Sequence, residues 1–260
     1  MKIGIFYFSG TGNTKALVNV IKATLEKESN EVEVRNIADG WFENYDDYDF
    51  FSFWSPKYYE YIPLFFLNFL KKNISKCSKP IDGAVFLSAG GEFHCGYKQI
   101  ISILRDKNIN IKATKTIKMV NNYSLPPFDK FSSSTEEEQI ASCKSGEKTA
   151  EKFALDIVNG EMEIETANYF VEKICYGVAY IYGKKGGKVP RSFSVSEKCI
   201  KCGACVRGCP QENIIIKDGK ITFDDNCIVC SRCLNICPTN AILYKGKEVE
   251  QYKLRLKEIK

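Results

Sequence analysis

The feature that most constrains this chain is a cysteine pattern written twice. Cys199, Cys202, Cys205 and Cys209 form the run C-x2-C-x2-C-x3-C, and Pro210 follows. The run returns at Cys227, Cys230, Cys233 and Cys237, and Pro238 follows that. Each cysteine of the second set lies 28 positions after its counterpart, and Ile214 and Ile242 keep the same offset. Self-similarity at a fixed period marks a duplicated unit.

The spacing has a chemical reason. A [4Fe–4S] cube takes four thiolates, and three at two-residue gaps can wrap one corner of it from a single short loop. In a paired run of this kind the cysteine before proline ligates the other cluster. One set is therefore Cys199, Cys202, Cys205 and Cys237, and the other is Cys227, Cys230, Cys233 and Cys209. Proline after the crossing cysteine fixes φ and ends the local turn. Ile200, Val206, Ile214, Ile228, Ile236 and Ile242 are expected to pack around the cubes and exclude water. Zinc is the competing reading, because C-x2-C pairs also bind zinc. It leaves the third cysteine of each half without a role. A disulfide framework suits a small secreted domain, which this is not. On these residues, the stretch 190–245 resembles the bacterial two-cluster ferredoxins.

The whole chain has 260 residues, enough for a medium domain and a small one. Reduced cysteines in this number point to a reducing, anaerobic cytosol, and the N-terminus reads as a strand rather than a signal peptide. The most apolar stretch, Tyr61 to Leu70, is shorter than the roughly 20 residues a membrane span needs. No charge run is long enough for a nucleic-acid arm. The formal charge of +5 is offset by about −2 for each oxidised cluster with its thiolates, and by about −2 for a flavin phosphate. It therefore argues for no basic-patch partner.

The N-terminal half alternates strands and helices. Strands are expected at Lys2–Phe8, Glu31–Ile37, Asp49–Ser55, Gly83–Ser88 and Asn110–Met119. Helices are expected at Lys15–Glu28, Pro63–Lys72, Tyr97–Lys107 and 135–159. The last has Ser/Thr at 132–135 ahead of Glu136–Glu138 as a capping pattern, and Gly160 as its stop. Such alternation implies a doubly wound parallel sheet. Between the first strand and helix lies Ser9-Gly10-Thr11-Gly12-Asn13-Thr14. A glycine loop running into a helix N-terminus binds phosphate through backbone N–H groups. It lacks both the Gly-Lys-Ser/Thr of an ATP loop and the third glycine of a dinucleotide loop. Gly10 and Gly12 let the backbone turn and approach a ligand, and the hydroxyl and amide side chains add donors.

This loop, opening the chain in this way, resembles the flavodoxin phosphate loop. The resemblance covers about 1–160 and implies FMN, a five-stranded sheet of order 2-1-3-4-5, and a flavin ring flanked by two further loops. The first carries Ser55, Pro56, Lys57 and Tyr58, with Tyr58 able to stack on the ring. The second, Ser88–His94, carries Ser88, Ala89, Gly90 and Gly91, whose amides would face the flavin pyrimidine. Trp54, standing where glycine is usual, is open between core residue and flavin contact. His94, the only histidine, is open between proton donor and ordinary loop residue, and Cys95 likewise. Cys77, Cys143 and Cys175 read as small apolar residues. The stretch 161–189 is a connecting helix (Glu163–Tyr182) and basic linker, and 246–260 is a charged tail with no evident chemistry.

Taken whole, the arrangement resembles the ferredoxin–flavodoxin fusion proteins of anaerobes. That resemblance implies two [4Fe–4S] clusters plus FMN, and partners among ferredoxin-type donors or acceptors. The function expected is electron relay between clusters and FMN, joining one-electron to two-electron carriers. The alternatives are an FMN-dependent reductase of a small acceptor and a redox sensor. No acid–base or nucleophilic pair marks catalytic residues. The oligomeric state stays open.

Overall fold

The computed structural model describes residues 1–91, 93–125, 135–186 and 188–254. Glu92 of the second loop, Ser132–Ser134 of the capping pattern, Gly187 of the linker and 255–260 of the tail lie outside the described residues.

Five parallel strands build the larger part. They are β1 (Lys2–Tyr7), β2 (Glu31–Asn36), β3 (Phe50–Pro56), β4 (Ile81–Ala89) and β5 (Ile109–Lys118), in the order β2-β1-β3-β4-β5. That is the order the flavodoxin resemblance implied. The central strands β1 and β3 are almost continuously buried. This is what a sheet covered on both faces demands, and it explains why they read as unbroken apolar runs. One face packs on α1 (Asn13–Lys27) and α4 (Glu136–Asn159), and the other packs on α2 (Leu64–Asn73) and α3 (Tyr97–Arg105). Thr135 caps α4 in a reciprocal box with Glu138, and Gly160 ends it with φ +73°. The three acidic residues of its first turn complement the helix dipole.

The connecting region departs from expectation. Residues 163–165 run along the sheet edge rather than in a helix. Thr114 donates its amide to Glu163 O (2.9 Å) and its hydroxyl to Glu165 O (2.6 Å). Helix α5 starts later, at Tyr169, and runs to Gly186. It absorbs the start of the expected linker, because the apolar positions 170–181 outweigh the glycines until proline approaches.

The smaller part is built on β6 (Phe193–Val195), α6 (Ala204–Arg207), β7 (Ile214–Lys217), β8 (Lys220–Phe223), α7 (Arg232–Ile236), β9 (Ile242–Tyr244) and β10 (Lys247–Glu248). Antiparallel β7–β8 and β10-β9-β6 flank the two short helices. Its core joins Leu125, Cys205, Ile214, Val229, Leu234, Ile242 and Val249. No helix among the described residues is long and apolar enough to cross a membrane.

Candidate electron-transfer site

The cysteines of the smaller part are spread around two cavities. Cys199, Cys202, Cys205 and Cys237 line one, with Ile200, Ile221 and Ile242. Cys209, Cys227, Cys230 and Cys233 line the other, with Leu125, Phe193, Ile214 and Phe223. The geometry thus places each cysteine before proline with the opposite run. Among the described residues, no three His, Cys, Asp or Glu side chains meet at the spacing of a single ion. Lys201, Val229 and Ser231 hold positive φ within the cysteine loops. Amides of Asn213, Val229 and Ala241 point at the sulfurs of Cys209, Cys227 and Cys237, each at 3.3 Å. Such donors tune a bound cluster. Desolvation pushes the Cys227 thiol up to about 12 and raises Cys230 and Cys233. Thiolates there need compensating positive charge, which iron supplies.

Of the six apolar residues expected around the cubes, Ile200, Ile242, Ile214 and Ile228 line the cavities. Val206 and Ile236 do not. Ile200 is 64% exposed, so it does not exclude water from the first cavity.

A separate cavity of about 500 Å³ opens at the carboxyl ends of β1, β3 and β4. Ser9, Gly10, Thr11, Asn13, Thr14, Pro56, Lys57, Tyr58, Ser88, Ala89, Gly90 and Gly91 line it. Ser55 and Gly12 do not. Ser55 is fully buried, its hydroxyl turned to Pro56 O. Gly12 acts through its backbone: at φ +102° it starts α1, a conformation that favours glycine. Helix α1 has neither a side-chain cap nor an acid in its first turn. Its first amides thus remain for an anion. The polar side chains are less available. Ser9 Oγ accepts from Gly12 N (3.1 Å), and Thr14 Oγ1 bonds Ser88 Oγ (2.7 Å). Asn13 donates to Val120 O (3.2 Å) and accepts from Tyr252 (2.8 Å).

Gly10 has a reason that the sequence does not show. A Cβ on it would lie 2.7 Å from both Cys230 O and the Tyr58 hydroxyl. The second cysteine run packs directly on the phosphate loop, and Val229, Cys230 and Ser231 line the same cavity. Arg232 fastens the contact. Its Nε donates to Gly10 O (3.1 Å), Nη2 to Ser9 O, and Nη1 to Gly208 O (3.3 Å). The Tyr58 hydroxyl is buried without a hydrogen-bond partner among the described residues. Burial raises its pKa. Beyond it, Tyr59 and Glu60 both hold positive φ in a tight turn closed by Tyr58 and Tyr61, a strained geometry typical of ligand loops. Lys57 turns inward onto Glu60 (3.2 Å) and Phe93 O, and burial lowers its pKa.

Residues 198–242 match the family described as 4Fe-4S dicluster domain. The chain joins a five-stranded sheet of flavodoxin-like order to a stretch that matches a 4Fe–4S dicluster domain. It matches no curated protein. Among solved structures, a flavodoxin from the domain Archaea is 19% identical over 58% of this chain and 98% of its own, with TM-score 0.39. The Megasphaera elsdenii flavodoxin is 21% identical over 58% and 98%, with TM-score 0.36. The rubredoxin oxygen:oxidoreductase of Desulfovibrio gigas is 15% identical over 59% of this chain and 37% of its own, with TM-score 0.32.

The structure gives definite places to residues that the sequence left open. Trp54 is core: fully buried, stacked on Phe86 at 4.2 Å, its indole donating to Ser52 Oγ. His94 lies outside the cavity lining, with Nδ1 3.1 Å from Glu165 Oε2 but not aligned as a hydrogen bond. Cys95, left open in the sequence, and Cys175, read as a small apolar residue, are joined as a disulfide between the loop before α3 and helix α5. The charged tail is a strap between the flavodoxin-like fold and the dicluster domain. Gln251 donates to Leu234 O and Cys237 O, and Tyr252 bonds both Asn235 and Asn13. Asn121, Asn122 and Tyr123 after β5 also line the cavity, with Val178 of α5. Only their position after the last strand could have marked the first three in the sequence.

Proposed function

We propose that the chain is an electron relay in which two [4Fe–4S] clusters and FMN serve on one polypeptide, joining one-electron to two-electron carriers. One observation carries this reading: Val229, Cys230 and Ser231 line the same cavity as the phosphate loop. The residues present fit the groups. The uncapped N-terminus of α1 and the unpartnered Tyr58 hydroxyl suit a phosphate monoester. The two cysteine cavities supply four sulfurs each. When bound, a flavin holds one or two electrons and each cluster exchanges one.

The chain's own part is positional. Arg232 pins the loop of Cys230 against the carbonyls of Ser9 and Gly10. The Asn13–Tyr252 bond holds α1 to the C-terminal strap. Fixed neighbours exchange electrons at a rate that no longer depends on protein concentration.

Anaerobic reconstitution followed by counting tests the loading: about eight irons and one FMN per chain are expected. Stopped-flow reduction by a low-potential ferredoxin tests the route. Flavin reduction is expected to slow in both Cys202→Ala and Cys230→Ala. Unchanged flavin reduction in both variants rules the relay out. A rate that saturates with one small acceptor and collapses with His94→Ala would favour a reductase instead.

A further inference from the structure

Helix α5 is apolar on two faces, one packed and one exposed. Val171, Cys175 and Ala179 face inward onto the core beside the sheet. Positions 170, 174, 177 and 181 recur at three- and four-residue steps, so they share the opposite face. There Phe170 is 77% exposed, Ile174 65% and Ile181 52%, flanked by Tyr169 (62%), Tyr176 (44%) and Tyr180 (44%). Lys173, its ammonium 5.4 Å from the Tyr169 ring centre, is the one charged residue on this face between 169 and 182. Glu172 turns away, accepting from Gly96 N (3.0 Å) and from the Tyr61 hydroxyl (3.2 Å). Together with the Cys95–Cys175 disulfide, these bonds hold the helix so that its outer face stays outside.

Gly177 stands at the centre of that exposed face. A glycine inside a helix is destabilising relative to alanine, and a Cβ at this position would meet nothing within 4 Å. The packing of the chain on itself thus gives the glycine no reason. A second helix crossing at that point does, because the distance between packed helices is set by the side chains at the contact. The size of the face agrees. At about 200 Å² per ring, its four aromatic residues alone expose roughly 450 Å². The two isoleucines bring the patch to the upper end of the roughly 300–600 Å² seen as the largest on a typical monomer. That approaches the roughly 800 Å² per partner of a stable complex. Homodimer interfaces are more apolar than transient ones, and interface cores are poor in charge. A helix lying on a membrane would carry Lys and Arg along its other face, which here is packed on the core.

From this we infer that a second copy of this chain docks on α5: the two helices cross at Gly177 about a twofold axis, and Phe170, Ile174 and Ile181 of each copy are covered by the other. In a twofold contact one patch serves both sides, so Gly177 meets its own counterpart at the axis. The inference stands apart from the relay.

Sedimentation equilibrium of the loaded full-length chain, kept without air and run over a range of protein concentrations, tests this. The parent is expected as a dimer. Ile174→Glu/Ile181→Glu sets four carboxylates in the contact and should raise the dissociation constant about a hundredfold or more. Both isoleucines are more than half exposed in the single chain, so its circular dichroism is expected to stay the same. Gly177→Gln should weaken association about tenfold or more, while the single chain unfolds no earlier, since glutamine is the better helix former. A parent that sediments as one chain at every concentration overturns the inference, and so does a double variant that pairs as tightly as the parent. Parent-like pairing of Gly177→Gln overturns the crossing point. Phosphatidylglycerol vesicles probe the other occupant: a parent that floats with them through the same isoleucines, and does not self-associate, overturns the second copy in favour of a lipid surface.

Discussion

Gly10→Ala isolates the contact on which the proposed relay depends. Gly10 is not among the glycines of positive φ, so alanine brings no dihedral penalty. The added methyl would stand 2.7 Å from Cys230 O and 3.2 Å from Cys230 Cβ. Ordinary contact begins at 3.4 Å, so the carbonyl must retreat by about 0.7 Å (3.4 − 2.7). That carbonyl is backbone in a loop shaped around cysteines, so it cannot swing aside as a side chain would. Overpacking of this kind costs about 1–3 kcal/mol. If the wall yields to relieve it, flavin affinity falls by about five- to 150-fold. Fluorescence titration with FMN measures that loss, and denaturant unfolding measures the strain left in the flavin-free chain. The Tyr58 hydroxyl also stands 2.7 Å from the new methyl, so the double variant Gly10→Ala/Tyr58→Phe separates the two neighbours. An affinity in the double variant equal to that of Tyr58→Phe alone, or a loss under twofold in the single Gly10→Ala variant, would refute the claim that the cysteine loop limits this position.

Three further outcomes follow from the same interface. Arg232→Gln removes a guanidinium from the Ser9 and Gly10 carbonyls. It should lower the denaturant midpoint by the equivalent of about 2 kcal/mol and slow flavin reduction by the donor. Tyr58→Phe should act with opposite signs: it removes a buried unpartnered hydroxyl, raising the stability of the flavin-free chain by about 1 kcal/mol while weakening FMN binding. Thermal unfolding with and without FMN reads both. Tyr252→Phe deletes the 2.8 Å bond to Asn13 and should cost about 1 kcal/mol, read in the same unfolding experiment.

The strands and helices of the sheet were legible because their signals are local: apolar runs, a capping box, a stop glycine; the strand order came only from the flavodoxin resemblance. The cysteine grouping was legible because the spacing itself carries the chemistry. What the sequence withheld depends on chain segments far apart. Gly10 reads as a loop glycine until Cys230, 220 positions later, is seen packed on it. Arg232 sits between two cysteines and gives no hint that its guanidinium reaches back to Ser9. The Tyr252 strap looked like a charged tail because its few specific contacts are single hydrogen bonds that leave no periodicity. The late start of α5 has the same origin, since Glu163–Glu165 is held by Thr114 rather than by its own helical preference.

The Val229–Ser231 wall bears on how the molecule is made in the cell. It belongs to a cysteine loop that the proposed relay would load with iron, while the opposite wall belongs to the parallel sheet. On that proposal flavin retention would follow the cell's metal supply: chains synthesised under iron starvation would hold FMN loosely, and repair of a damaged cube would restore it.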